Sequence, residues 1–457
     1  MEERVGVIGA GPIGLYTAYR LVKSGHSVVI WEKGVVAGNV AKWEHVTLFS
    51  ALSLNLPADA RADLEAGVGE VCPPRALPSD EAFLTGAEFR RDVLAPMAAW
   101  LRASGRCEIL EGVAVAGLGR GALLKREGVG AVGDERRKGA PFQALLRDAK
   151  GAESVAKAAA VVDCSGTYGT ETAARAGMCG LGAPGEAAAE AAGRISRTIL
   201  NPGVEAEACR VAGRRVAVLG AGYSAVTMLK MLCNLEAPKA PASVVWITRS
   251  AKAAPYDRVD NDPLPQRDAL ASYGNAMANL GPTAFALAGG GAFEAIRGAV
   301  VAKMTVVTGG LALDLTVDGG TRSLDVDHLI SLTGYRPDAS LYSELHVHQC
   351  YASDGPMKLA ATLLAASAPG AASGDCLKQA APGPHTLLNP EPNFFILGMK
   401  SYGRNSSFLM RVGYEQVGLL VDILAPLATH PPFAPGPAKP PAPQDDAAPP
   451  LPVPVAA

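Results

Sequence analysis

The chain has 457 residues, with 42 basic and 44 acidic side chains and a formal charge of −2. At about 150 residues per domain it holds two or three domains, and 49% hydrophobic against 19% charged residues excludes wholesale disorder. The near-neutral balance gives no electrostatic case for nucleic acid or an anionic membrane as the main partner.

The segment RVGVIGAGPIGLYTAYRLVKSGHSVVIWEK reads as strand, tight turn, amphipathic helix, strand. Val5, Val7 and Ile8 form a short apolar strand. Leu15, Ala18, Tyr19 and Val22 recur at helical spacing, and Val28 to Ile30 form the next strand. The turn is Gly9-Ala10-Gly11-Pro12-Ile13-Gly14. Gly9 permits the tight turn, Gly11 lets the backbone approach a pyrophosphate, and Gly14 lets helix and strand pack closely. The helix start offers N–H groups and a positive dipole end to phosphates. Glu32, ending the second strand, is placed to accept hydrogen bonds from an adenosine ribose.

Apolar spacing then predicts a helix over about 86–103, followed by strand-like runs from about 107 to 163. The charged stretch GDERRKG interrupts them and reads as a solvated hairpin or loop. The run AAVVDCSG at 159–166 is an apolar strand ending in a small-residue turn.

A second strand–turn–helix–strand unit follows, RRVAVLGAGYSAVTMLKMLCNL and ASVVWITRS, with the turn Gly220-Ala221-Gly222-Tyr223-Ser224-Ala225. Two such units about 200 residues apart imply two dinucleotide-binding folds. The second unit's last strand ends not in an acid but near Arg249, with Lys252 close behind, which suits the 2′-phosphate of NADPH.

Further on, DHLISLTGYRP repeats the strand with a small-residue end. His346 and His348 alternate on one expected strand face, a spacing that carries no metal site by itself, so none is expected. Beyond about residue 430 the Pro- and Ala-rich sequence reads as a disordered tail. The eight cysteines form no CxxC pair and match neither zinc nor disulfide spacings. Reduced thiols are expected, with Cys164 and Cys376 as small buried residues. No apolar run reaches the ~18 residues needed to span a bilayer, and the early glycine motif leaves no room for a signal peptide. A soluble, cytoplasmic protein is expected.

Over about residues 1–425 these motifs resemble the two-dinucleotide-binding-domain flavoproteins, in particular a divergent branch of the class B flavin-dependent monooxygenases. Three further segments carry the resemblance. Glu32-Lys33 followed by Gly38 and Trp43 looks like the extension of the FAD domain. Asp163-Cys164-Ser165-Gly166-Thr167 looks like the strand-end element that returns the chain to FAD. Asp327 to Pro337, containing Thr333 and Gly334, looks like the element linking the NADP domain back to the FAD domain.

Near the C-terminus, Asn393 to Gly403 sits where the family places a strand and a flavin-contacting turn. Many relatives carry Gly-Asp there, the acid bonding the ribityl chain. Here Gly398 precedes Met399, so Lys400 or Ser401 becomes the candidate for that contact. The following helix, Phe408 to Leu424, would aim its N-terminal end at the flavin, with Arg404, Asn405 and Ser406 near the isoalloxazine. Asn55 matches the stretch where flavin-containing monooxygenases place an asparagine beside the flavin, and a turn-capping role explains it equally well. Two departures stand out: no CxxC is present, which excludes disulfide reduction through that motif, and Ile199 to Glu205 lacks the F-x-G-x-x-x-H fingerprint.

The resemblance implies an α/β fold with two Rossmann-like dinucleotide-binding domains, the NADP domain inserted in the FAD domain. The expected division is 1–205 and 322–425 for FAD, 206–321 for NADP, and 426–457 for the tail. It implies an FAD- and NADPH-dependent monooxygenase that oxygenates a heteroatom or carbonyl carbon of a small molecule through a C4a-(hydro)peroxyflavin. The alternatives are an NADPH-dependent flavoprotein reductase or dehydrogenase without a redox disulfide, and a non-catalytic nucleotide-binding sensor. Expected partners are a small-molecule substrate and molecular oxygen, without nucleic acid or membrane and with a homodimer left open.

Overall fold

A computed structural model describes residues 4–129, 135–169, 173–177, 180–259, 262–280, 287–366 and 381–434. The first unit is β1 (Val5–Ile8), α1 (Pro12–Lys23) and β2 (Val28–Glu32). After a long helical stretch come β3 (Cys107–Glu111), β4 (Val113–Arg120), β5 (Phe142–Asp148), β6 (Glu153–Ala158), β7 (Ala160–Asp163) and the short β8 (Ile195–Ser196). The second unit is β9 (Arg215–Leu219), α2 (Tyr223–Cys233) and β10 (Ser243–Ile247), followed by a helix at Pro265–Met277 and β11 (Ala292–Ile296). The chain continues through β12 (Ala299–Val307), β13 (Gly310–Val317), β14 (Gly320–Val326), β15 (His328–Ser331), β16 (Phe394–Ile396) and α3 (Met410–Leu424).

Two five-stranded parallel sheets result, ordered β16-β7-β1-β2-β3 and β11-β10-β9-β15-β8. All four residues of β1, β7 and β15 are buried, as strands covered on both faces must be, which is why they read as apolar runs without alternation. Each sheet carries a three-stranded antiparallel meander, β4-β5-β6 and β12-β13-β14. In the first core, Leu15, Tyr19 and Val22 of α1 pack with Trp100 and with Val417 and Leu420 of α3. The helix expected at 86–103 is present, with a π-helical turn at Arg90–Leu94 between its α-helical ends. Pro96, just beyond that turn, lacks an N–H and crowds the preceding carbonyls, so regular pairing is interrupted there. No helix among the described residues is long and apolar enough to cross a membrane.

Four expectations change. The described part of the charged stretch is a short helix, Glu135–Gly139, and Arg137 is buried rather than solvated because Glu391 neutralises it. His346 and His348 lie outside any strand, and no group of three or more His, Cys, Asp or Glu residues that could hold a metal occurs among the described residues. The second sheet extends outside 206–321 on both sides, because β8 and β15 pair with it and strand membership follows backbone hydrogen bonds. The start of the expected tail is docked: Thr429 and His430 donate backbone N–H bonds to Gly25 O, and Phe433 stacks edge-on against Trp100 at 5.4 Å. Residues 435–457 lie outside the described residues.

Candidate functional site

The first crevice opens at the C-terminal ends of β1 and β7, where Ile8 and Asp163 are register partners and the strand order runs outward to either side. Such a switch point is where open α/β sheets bind ligands. Gly9 holds φ +97°, and a Cβ there would lie 2.9 Å from Cys164 O. A Cβ on Gly14 would lie 1.9 Å from Gly9 O, whereas one on Gly11 would meet nothing within 4 Å. The turn is thus closed on its protein side and open on its ligand side. No side chain caps α1, whose N-cap is Gly11, and Pro12 and Ile13 form its first turn. Glu32 accepts N–H bonds from Ala10 at 2.7 Å and Gly34 at 2.8 Å, which fix its carboxylate at the rim with lone pairs remaining. Lys33 is exposed beside it, and Gly38 opens a short helix, Gly38–Ala41. Trp43 packs against Gly86, where a Cβ would lie 2.9 Å from its ring.

At the end of β7, Asp163 pairs with Lys400 at 2.6 Å, and both side chains are fully shielded. Ser165 joins them, donating to Asp163 at 2.6 Å and accepting from Lys400 at 3.0 Å, and Gly166 turns away at φ +69°. Ser401 instead donates to Gly398 O at 2.7 Å and accepts from Gln416 Nε2 at 3.0 Å, while Gln416 Oε1 accepts the Gly398 N–H at 3.0 Å. The hydroxyl of Ser401 therefore serves the turn itself. Gln416 was not singled out from the sequence. Its signal is a lone amide on the apolar face Val412, Val417 and Leu420 of α3.

Arg404 is turned outward, paired with Asp354 at 2.5 Å. Asn55 lies near the start of α3, where Tyr414 Oη donates to its carbonyl at 2.7 Å. Its amide, however, is bonded locally: Nδ2 donates to Ser50 O and Ala51 O, and Oδ1 accepts from Ser50 Oγ. Those bonds run back to the segment before its own short helix, and no side chain caps either that helix or the next one, Ala58–Ala66.

The second crevice repeats the first. Gly220 holds φ +129°, and a Cβ there would lie 2.3 Å from Leu332 O, while one on Gly222 meets nothing within 4 Å. No side chain caps α2; Ser224 is exposed and Ala225 is fully buried. Trp246 Nε1 donates to Gly220 O at 2.8 Å and Tyr256 Oη to Gly222 O at 3.4 Å, bracing the glycine turn from below. The Tyr223 ring sits 5.7 Å from both Phe49 and Tyr256. Arg249 and Lys252 are exposed beyond β10. Thr333 donates to Ala174 O at 2.6 Å, Gly334 turns at φ +94°, and Tyr335 meets Tyr168 at 4.6 Å, so this element ties together the two crossings between the sheets.

The described cysteines are free thiols, and burial pushes Cys164 up to about 12, so it is unreactive. Cys179 and Cys376 lie outside the described residues.

Two parallel sheets, each with a glycine-lined crevice at a helix start, define an α/β protein with two Rossmann-like dinucleotide-binding domains. Residues 7–63 match the model of the NAD(P)-binding Rossmann-like domain. The bacillithiol disulfide reductase of Bacillus cereus superposes with a TM-score of 0.59 at 17% identity, over 93% of this chain and 99% of that one. The ornithine N-hydroxylase of Kutzneria sp. 744, whose structure carries reduced FAD, NADP+ and L-ornithine, gives 0.54 at 13% identity, with 93% and 99% covered. The thioredoxin reductase of T. acidophilum gives 0.53 at 15%, with 92% and 97% covered. What is shared with these three is the fold. No curated protein sequence matches the chain.

Proposed function

We propose that the chain is an FAD- and NADPH-dependent oxidoreductase. The observation that carries this reading is the pair of uncapped helix starts, each behind a glycine with open space where a Cβ would point. Their surroundings differ in the sense the two cofactors require. Glu32 borders the first, as the free ribose hydroxyls of FAD ask, and Arg249 and Lys252 border the second, as a 2′-phosphate asks. The FAD domain takes about 1–205 and 322–425 and the NADPH domain 206–321, with β8 and β15 of the flanking parts completing the second sheet.

Bound FAD would supply two-electron chemistry with NADPH as the hydride source. The chain's own residues hold the phosphates at Gly11 and Gly222, orient the riboses, and present the start of α3 to the crevice. The finer reading is oxygenation of a nitrogen, sulfur or carbonyl carbon of a small molecule, which the resemblance to the monooxygenases and the likeness to the N-hydroxylase support. The second reading, electron transfer to a small acceptor without oxygen insertion, is favoured by Asn55, whose amide is taken up by Ser50 and Ala51.

The test is anaerobic mixing of the flavin-loaded protein with NADPH, followed by oxygen and a panel of amines and thioethers. Bleaching by NADPH and not NADH is expected, and its absence would sink the oxidoreductase reading. Oxygenated product in proportion to oxygen consumed supports the finer reading, whereas stoichiometric hydrogen peroxide supports the second.

A further inference from the structure

The Asp163–Lys400 couple lies where the first sheet opens. Asp163 ends β7, Lys400 sits in the single-turn helix Gly398–Tyr402 after β16, and Ile396 is the register partner of Asp163. Their charged atoms are 2.6 Å apart and neither side chain reaches solvent. Taking two ions out of water is costly, and an apolar pair in their place would serve stability as well or better. An ion pair retained at the switch point of a parallel sheet therefore points to a ligand.

The hydrogen bonds around the couple assign its protons. Lys400 Nζ donates to Ser165 Oγ at 3.0 Å, so the Ser165 hydroxyl proton goes to Asp163 Oδ1 at 2.6 Å. Asp163 Oδ1 also accepts the Ser165 N–H at 3.0 Å. Of the three residues, only Ser165 keeps solvent-accessible surface. Its oxygen has one lone pair left and no proton to give, so toward the crevice it can only accept. A phosphate or carbonyl oxygen gains nothing there; a hydroxyl does. Ser165 also borders the fingerprint turn, since a Cβ on Gly9 would lie 3.0 Å from Ser165 Cα. In FAD, the donor hydroxyls adjoining the pyrophosphate on the flavin side belong to the ribityl chain.

We infer that Ser165 accepts a hydrogen bond from a ribityl hydroxyl of FAD, with Lys400 and Asp163 as positioning residues that fix its hydroxyl rotor. The inference rests on the FAD reading above. It accounts for Met399 standing where resembling flavoproteins carry an acid: Asp163, acting through Ser165 from the neighbouring strand, supplies the negative end instead.

The test compares FAD with ADP, which shares the adenosine and pyrophosphate but has no ribityl chain, by calorimetric titration of the flavin-stripped full chain. Ser165→Ala and the double variant Asp163→Asn/Lys400→Met, which leaves no lone buried charge, should each weaken FAD roughly tenfold while ADP affinity holds. Ser165→Thr, which keeps the hydroxyl, should restore FAD affinity. Equal loss of both ligands would mean that the couple only scaffolds the crevice and would overturn the inference. Unchanged FAD affinity in Ser165→Ala would overturn it too. A wild-type chain that binds ADP but not FAD would overturn the FAD reading itself, a result separate from tight wild-type FAD binding without differential loss.

Discussion

Arg137 Nη2 lies 2.7 Å from Glu391 Oε2 with both side chains shielded, and Arg120 Nε approaches the other carboxylate oxygen at 3.6 Å. Glu391 also accepts the His346 N–H at 2.9 Å, so one carboxylate joins the β4–β6 meander to the segment entering β16. Glu391→Leu would leave two guanidiniums buried without a counter-charge. A loss of about 3–5 kcal/mol in urea unfolding is expected. A loss below about 1 kcal/mol would show that the arginines find other partners.

The two inner glycines of the first fingerprint should fail in different ways. Gly14→Ala drives a methyl into Gly9 O and should cost about 1–3 kcal/mol of stability, seen as a lower melting temperature. Gly11→Ala meets nothing in the protein, so its melting temperature should hold in the flavin-free state while flavin content after purification collapses. A flavin-replete Gly11→Ala protein would place the pyrophosphate elsewhere.

Both fingerprint units were legible because their information is local. Glycine spacing sets the turn, the 3.6-residue period sets α1 and α2, and apolar runs set the doubly covered strands. What escaped depends on partners distant in sequence. Nothing in GDERRKG announces that Arg137 is buried, since the cause is a glutamate 254 residues away. The segment after α3 reads as tail by its prolines, yet Phe433 finds Trp100 and Arg106, and Arg106 donates to Pro431 O at 2.7 Å. Resemblance could place Asn55 beside an expected flavin, but the direction of its amide depends on the Ser50 and Ala51 carbonyls, which spacing cannot convey.

Arg249 offers the most direct reading of cofactor choice. It is exposed, with no side-chain contact among the described residues, so Arg249→Ala should change stability by less than about 0.5 kcal/mol. If its guanidinium meets the 2′-phosphate, KM for NADPH should rise roughly tenfold while KM for NADH is unaffected. That difference should shrink as salt is raised. Parallel changes for both nucleotides would show that Arg249 does not select between them.

His328 should impose an acid limit on stability. Arg210 Nη1 donates to Ser196 Oγ at 3.1 Å, and Ser196 Oγ shares a hydrogen bond with His328 Nε2, 2.7 Å away. Burial first, then the nearby Arg210 and Arg194, lowers the imidazole from 6.5 to about 4. Between those values the unfolded chain binds a proton that the folded chain refuses. The stabilisation from keeping this histidine neutral is therefore whole above about pH 6.5 and is lost as pH falls toward 4, by at most about 1.4 kcal/mol per unit. Urea unfolding across that range should show a steeper fall for the wild type than for His328→Gln, which cannot titrate. Coincident slopes would mean that His328 takes up its proton in the folded chain as readily as in the unfolded one, against the effect of its burial.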